Sequence, residues 1–447
     1  MFLVDGMIIT MNDQNTIIKK GFIKIEGKHI VMVSDKLLDH SIIYDEEVID
    51  CEGKIIIPGL INMHTHSNGW IMKGLIPEIP LQYWIKLARV IRTYLTPKEI
   101  YISALLACAE MLKNGVTSFV DHIRQDIDGL EKAVEAYADS GMRVFMAPMV
   151  YDLGYPECDN VSDNFSGKSL GFIDLVKECY TRWQDLNGRL KIFPGPSAIH
   201  RCSDALLYRC IEFSTKYNLP IHTHLAETKL EEEFMYNRCG CNSTEYLNRK
   251  NMLSDRWTFA HCIWLDNKEI DLLGIKNVNI VLNPLSNFIL GSGIPSVHLM
   301  KKANVNLTVG TDGVNTGGTL SLLENLRLLR GIDRIFDKDY KKWFTSLQSI
   351  AMITRNSAKA LYMEKLLGSI EEGKLADITI IDTKSLTMCT TGDLVNSLIM
   401  NDTGLSVDKV IIDGRIIYQN NRILSYDVDN ILEEARLIMK YLGKLFL

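Results

Sequence analysis

The chain has 447 residues, 47% hydrophobic and 23% charged, with a net charge of −6; that length exceeds one ordinary core and suits a barrel of ~250 residues plus a smaller second unit. The acidic balance and the lack of a basic stripe argue against a nucleic-acid partner. The opening MFLVD lacks the basic and apolar regions of a secretory leader, and no apolar run approaches the ~20 residues of a membrane span.

Residues 1–55 read as short strands with tight turns, including a hairpin over 21–33 around Glu26-Gly27-Lys28. From Ile55 to about Met363, apolar strand-like runs alternate with helical ones. The expected strands are 55–63, 116–121, 143–150, 190–196, 219–224, 257–262, 278–283 and 305–311. Helical patterns fall at 96–114, 128–140, 170–186, 203–217, 228–249, 294–303 and 345–362. Thr96-Pro97-Lys98-Glu99 opens the first with a cap, a proline in the first turn and a reciprocal glutamate. Eight strand–helix pairs in alternation predict a (β/α)8 TIM-type barrel over 56–365. Residues 366–423 return to strands, ADITIID (376–382) and then 407–419 with a turn at Asp413-Gly414, and 429–446 reads as an amphipathic helix. The ten cysteines are scattered and read as reduced thiols of a cytoplasmic protein. Cys239 and Cys241 lack a second pair and are not read as a zinc site.

Functional residues of such barrels lie at the C-terminal ends of the strands. Six of the ten histidines fall there. His64 and His66 end strand 1, His122 strand 2, His222 and His224 strand 5, and His261 strand 6; Asp312 ends strand 8. In His64-Thr65-His66 the alternation of a strand puts both imidazoles on one face, where they can chelate one metal. His224 is the outer member of its pair and reads as a ligand, while His222 reads as a deeper core histidine. Asp312, between Gly310 and Gly313, reads as a ligand and proton acceptor, and His261 as a direct participant. Imidazoles plus one carboxylate leave an open coordination position, the mark of a catalytic site. A metal there can lower the pKa of its water to ~7. Glu227, three residues past His224, can then protonate a ring nitrogen. Candidate pocket residues are Trp70, Trp84, His122, Ser197, His200, Asn283, Ser286 and Asn287. Trp70 and Trp84 could stack on a flat heterocycle or pack within their loop.

PGLINMHTHSN (58–68), HTHLAET (222–228), AHC (260–262), NPLSNFILGSG (283–293), GTDG (310–313) and GSIEEGKLADITIID (368–382) together resemble the amidohydrolase superfamily. The resemblance is strongest to the branch of triazine hydrolases, adenosylhomocysteine-type deaminases and guanine deaminase. It implies a barrel with a small β-sandwich built from both chain ends, 1–55 and 366–447. It also implies His64, His66, His224 and Asp312 as ligands of Zn2+, in preference to Fe2+, and Glu227, His261 and Asp312 as catalytic residues. Binuclear relatives carry a carbamylated lysine at the end of strand 4; here Lys191 stands at its start, so one metal is expected. Relatives acting on adenosylhomocysteine tend to carry a glutamate before the tryptophan of the strand-1 loop, an arginine after strand 3 and a histidine after strand 4. Here Tyr83 precedes Trp84, no arginine occurs from Val144 to Thr181, and Ser197 stands in GPS. The strand-3 loop is acidic instead (Asp152, Glu157, Asp159, Asp163), which favours a neutral or amine-bearing substrate or is simply a solvated loop. Gly313 after Asp312 resembles the deaminases. The expected reaction is therefore hydrolytic deamination of an aminopurine, pterin, aminopyrimidine or aminotriazine. Dehalogenation and ring opening on the same site are the alternatives, with a non-catalytic barrel behind them. The partner expected is a small heterocycle, and a homo-oligomer is compatible with the sequence.

Overall fold

The computed structural model describes residues 1–36, 38, 46–76, 78–154, 172–390 and 392–446. Five strands open the chain: β1 (Phe2–Ile9), β2 (Ile17–Glu26), β3 (His29–Ser34), β4 (Val48–Asp50) and β5 (Lys54–Pro58). The middle holds β6 (Leu60–Thr65), β7 (Val116–Asp121), β8 (Arg143–Met146), β9 (Met149–Val150), β10 (Leu190–Ile192) and β11 (Gly195–Pro196). It continues with β12 (Ile221–Leu225), β13 (Trp257–His261), β14 (Asn279–Leu282) and β15 (Asn306–Val309). The chain closes with β16 (Ile378–Asp382), β17 (Val407–Ile412), β18 (Arg415–Gln419) and β19 (Arg422–Ile423).

Every pairing among β6 to β15 is parallel. The orders are β10-β8-β7-β6 and β12-β13-β14-β15, with β11 beside β9. A parallel bridge between Ala198 and His224 links the fourth strand position to β12. The N–H groups of Thr311 and Asp312 donate to His64 O, at 3.1 and 3.0 Å, and link the last position to the first. These strands are buried on both faces, which is why they read as continuous apolar runs rather than alternating ones. Several of the helices between them start on side-chain caps. Glu99 accepts from Thr96 N–H at 2.6 Å, and Asp126 accepts from Gly129 N–H at 2.9 Å.

The two chain ends share one sheet, in the order β19-β18-β17-β16-β5-β1-β2-β3 with β4 on β1. Its core (Leu3, Ile8, Ile23, Ile56, Ile378, Ile380, Ile411) is separate from the large core under the parallel strands. The expected strand 55–63 therefore divides at Gly59: β5 joins β1 and β16, and β6 joins β7. In the β17–β18 turn, Asp413 and Gly414 both have positive φ, 49° and 71°, which matches the strand twist. A side chain at 414 would meet Gly27 O at 2.1 Å, so only glycine fits. Buried Arg143, at the start of β8, donates to Asp377 at 2.9 and 3.2 Å and to Asp413 at 2.5 Å, tying the parallel strands to the end sheet. The terminal helix Val428–Phe446 packs Ala435 and Leu442 against Ile102 and Leu106.

Some expected helices differ. The run 228–249 is two helices, Lys229–Cys239 and Ser243–Arg249, because Gly240 at φ 69° ends the first. The run 345–362 divides into Ser346–Met352 and Arg355–Ala360. Helices Leu81–Arg92, Asn267–Ile275 and Leu322–Phe336 were not anticipated. Among the described residues no cysteine is in a disulfide, Cys239 and Cys241 join no metal-ligating group, and no helix is long and apolar enough to cross a membrane.

Candidate active site

The ends of β6, β12 and β13 and the turn after β15 bring His64, His66, His224, His261 and Asp312 together. The ligating atoms of His64, His66 and His224 lie within 4.8 Å of one another, as do those of His64, His261 and Asp312. Gly310 permits the approach: a Cβ there would stand 2.5 Å from Asn283 Oδ1 and 2.7 Å from His64 Cβ. The turns that aim these side chains are strained. Ala226, His261, Cys262 and Asp312 all have positive φ, at 49°, 74°, 52° and 60°, a conformation that L side chains hold only when surrounding structure enforces it.

Hydrogen bonds fix the faces of the rings. His66 Nδ1 donates to His122 O and His224 Nδ1 to Ser197 O, both at 2.5 Å. His261 Nδ1 donates to Asn287 Oδ1 at 2.8 Å. In a neutral imidazole this leaves the lone pair on Nε2. Asp312 Oδ1 is 3.2 Å from His66 Nε2 and 3.6 Å from His64 Nε2. Its Oδ2 accepts from Ser286 Oγ at 2.5 Å, and its Oδ1 from Gly313 N–H at 2.6 Å. Lone pairs of imidazoles and a carboxylate crowded this closely repel unless a cation lies among them. The Nε2 atoms of His64 and His261 are buried with no hydrogen-bond partner among the described residues. This donor set suits a divalent metal, with the second hydrogen bond of each imidazole orienting it.

Two carboxyls at the cluster, Asp312 and Glu227, are shifted in opposite directions. Burial pushes Asp312 up, but the His64 and His66 imidazoles outweigh it and hold the group well below the usual carboxylate range. Burial, helped by the Asp312 charge, holds Glu227 well above that range. Glu227 Oε2 is 3.7 Å from His261 Nε2. Its backbone N–H donates to Glu231 Oε2 at 3.0 Å, which anchors the turn. Burial also lowers the titration of His64, to about 3, and of His224 and His261.

The remaining candidates divide. His122 is buried beside His224, ring to ring 4.8 Å, with Nε2 3.2 Å from Gly195 O. Asn283, Ser286, Asn287 and Ser197 are buried next to these residues. Trp84 is buried against Leu81, Ala88 and Leu290. Trp70 takes the packing alternative: its indole N–H donates to Glu110 at 2.8 Å, and its ring packs among residues of the terminal helix. His200 lies in the turn Ile199–Arg201, 6.3 Å ring to ring from Phe234 of helix Lys229–Cys239. Lys191 forms an ion pair with Asp185, away from the histidines. Asp152 caps Ser203, while Glu157, Asp159 and Asp163 lie outside the described residues. Sequence reasoning missed the guanidinium groups of Arg124 and Arg201, 4.4 and 3.8 Å from the Tyr151 ring and nearly buried. Arg124 and Arg201 follow strands 2 and 4, outside the arginine-free stretch from Val144 to Thr181.

A model of the amidohydrolase family matches residues 55–417. The chain belongs to the amidohydrolase family. This amidohydrolase is 30% identical to the 5-methylthioadenosine/S-adenosylhomocysteine deaminase of Syntrophomonas wolfei over 97% of each chain. It is 32% identical to the 5'-deoxyadenosine deaminase of Methanocaldococcus jannaschii, covering 93% of this chain and 95% of that one. An adenosine deaminase from Xanthomonas campestris, crystallised with zinc, superposes with a TM-score of 0.88 at 22% identity, over 99% of this chain and 98% of that one. That likeness shows the fold, an α/β fold of the TIM-barrel type. The amidohydrolase is a metal-dependent hydrolase acting on carbon–nitrogen bonds other than peptide bonds, of the deaminase kind expected from its sequence.

Proposed function

We propose that this amidohydrolase deaminates the 6-aminopurine ring of an adenosine-type nucleoside. The observation that carries the reading is the gathering of His64, His66, His224, His261 and Asp312 at the strand ends with the Glu227 carboxyl 3.7 Å from His261 Nε2, where burial pushes Glu227 up while Asp312 is held down. The relatives named for 5'-deoxyadenosine and methylthioadenosine supply the substrate class.

In this reading the parallel strands close as a (β/α)8 barrel over 56–365, and residues 1–55 and 366–447 form the β-sandwich beside it, with the terminal helix. His64, His66, His224 and Asp312 would hold one zinc ion. The ion supplies Lewis acidity and lowers the pKa of a water. Glu227 gives its proton to the ring nitrogen beside the amino-bearing carbon. Asp312 takes the first proton of the attacking water and returns it to the amino group, which leaves as ammonia. Glu227 regains a proton from the former water oxygen as the oxo product forms. His261, oriented by Asn287, hydrogen-bonds the attacking oxygen. His122 and Asn283, whose Nδ1 and Oδ1 are buried without a hydrogen-bond partner among the described residues, are the acceptors assigned to the purine edge, with Trp84 and Ser197 behind them.

Ammonia release by zinc-replete protein tests the reading, with 5'-deoxyadenosine, methylthioadenosine and adenosine against guanine, an aminotriazine and a chlorotriazine. Release from the adenosine set is expected. Chloride from the chlorotriazine, or a new carboxylate from any ring, without ammonia from the adenosine set would replace deamination by dehalogenation or ring opening.

A further inference from the structure

We propose that His222 and Thr258 are positioning residues that decide which nitrogen His64 offers to the metal. The inference rests on the one-ion reading above and extends it to two residues which that reading leaves unused.

In His222-Thr223-His224 both imidazoles share a strand face, one layer apart. His224 is at the rim, and His222 is fully buried below it. His222 Nε2 is 2.7 Å from His64 Nδ1, and His222 Nδ1 is 2.7 Å from Thr258 Oγ1. The Thr258 hydroxyl donates to Ile221 O at 3.1 Å. A hydroxyl has one hydrogen, so the rest follows by elimination. Thr258 spends its hydrogen on the carbonyl and can only accept from His222, so His222 Nδ1 carries the proton. Its Nε2 then has the lone pair and can only accept from His64. His64 Nδ1 therefore carries its proton, and His64 Nε2 presents its lone pair beside Asp312. Both rings are fully buried, which disfavours a second proton on either.

His66 and His224 obtain the same tautomer directly from main-chain carbonyls. His64 sits deeper, and among the described residues no carbonyl bonds its Nδ1. The pair His222–Thr258 carries the polarity of Ile221 O inward to it.

The nitrogen atoms of His64, His122 and His222 also lie within 4.8 Å of one another. Two imidazoles sharing a tetrahedral zinc, at Zn–N of about 2.0–2.1 Å, stand about 3.3 Å apart. The 2.7 Å separation of His64 and His222 is a hydrogen bond instead.

The test is zinc content per chain and zinc affinity, read by competition with a chromogenic chelator, for the full chain and three variants. Thr258→Val removes the hydroxyl and keeps the shape, Thr258→Ser keeps the hydroxyl, and His222→Gln removes the imidazole. One zinc per chain is expected in the wild type. Affinity should fall roughly 10-fold in Thr258→Val and roughly 10- to 100-fold in His222→Gln, and be restored in Thr258→Ser. The circular dichroism and melting of the zinc-free Thr258 variants should match wild type. Wild-type affinity in Thr258→Val overturns the proposal, and that variant decides alone if His222→Gln does not fold. Two ions per chain, one of them lost in His222→Gln, overturns it in favour of a trihistidine site. A wild type that binds no zinc removes the one-ion reading and the relay with it.

Discussion

Glu227 and Asp312 carry the same functional group, shifted in opposite directions because their neighbours differ. Glu227 meets burial and a like charge, while Asp312 meets two imidazoles, a hydroxyl and an amide N–H. Glu227→Gln removes the transferable proton and leaves the ligands in place. It should keep zinc at wild-type stoichiometry and lose about 10²–10⁴ in kcat; a variant with full turnover would end the shuttle role. The residues of this constellation were legible because two plain facts locate them, strand alternation and the ends of apolar runs. Trp70 stood between two readings, because its partner Glu110 and most of the cluster its ring packs against lie outside its own loop. Arg124 and Arg201 gather on Tyr151 from loops after three different strands, a convergence no local pattern announces.

At the scale of elements, the helix Lys229–Cys239 shows what the turn that presents Glu227 costs. Its N-terminal turn holds Glu231 and Glu232, both buried, with burial pushing their carboxyls to about 8 and about 7. Glu232 accepts from Ser243 N–H and Oγ at 2.9 and 2.6 Å. Its folded value lies above the unfolded one, so its contribution to stability is full below about pH 4.5 and is lost as pH rises through about 7. Glu232→Gln keeps a carbonyl for Ser243 and has no charge to bury. Between pH 5 and pH 8 the wild type should lose roughly 2–3 kcal/mol relative to this variant. Urea midpoints at the two pH values check it, and parallel changes would show that burial there carries no penalty. The strands were readable because their two-sided burial leaves long apolar runs. The single helix expected over 228–249 was wrong because one glycine at positive φ outweighs an otherwise continuous pattern.

For the molecule as a whole, the link between the parallel strands and the end sheet is charged as well as apolar. Arg143 is buried against Asp377 and Asp413. Arg143→Met leaves the Asp377 carboxylate without its cation, which should cost about 3–5 kcal/mol. A urea midpoint within about 1 kcal/mol of wild type would show that the clamp is dispensable. The β-rich character of both ends was legible in composition, but the pairing of β5 with β16 was not, since nothing local marks a partner so distant.

That pairing bears on how the protein is made. Lys54 and Asp408 bond at 2.6 Å although 354 residues separate them. At 5–20 residues per second, the first strands leave the ribosome roughly 20–70 s before their partners exist. For that interval β5 carries an open edge and unburied isoleucines, a template for any other extended segment nearby. A ribosome that stalls before β16 therefore releases a chain in which β1 to β5 can pair among themselves but one edge of β5 stays open.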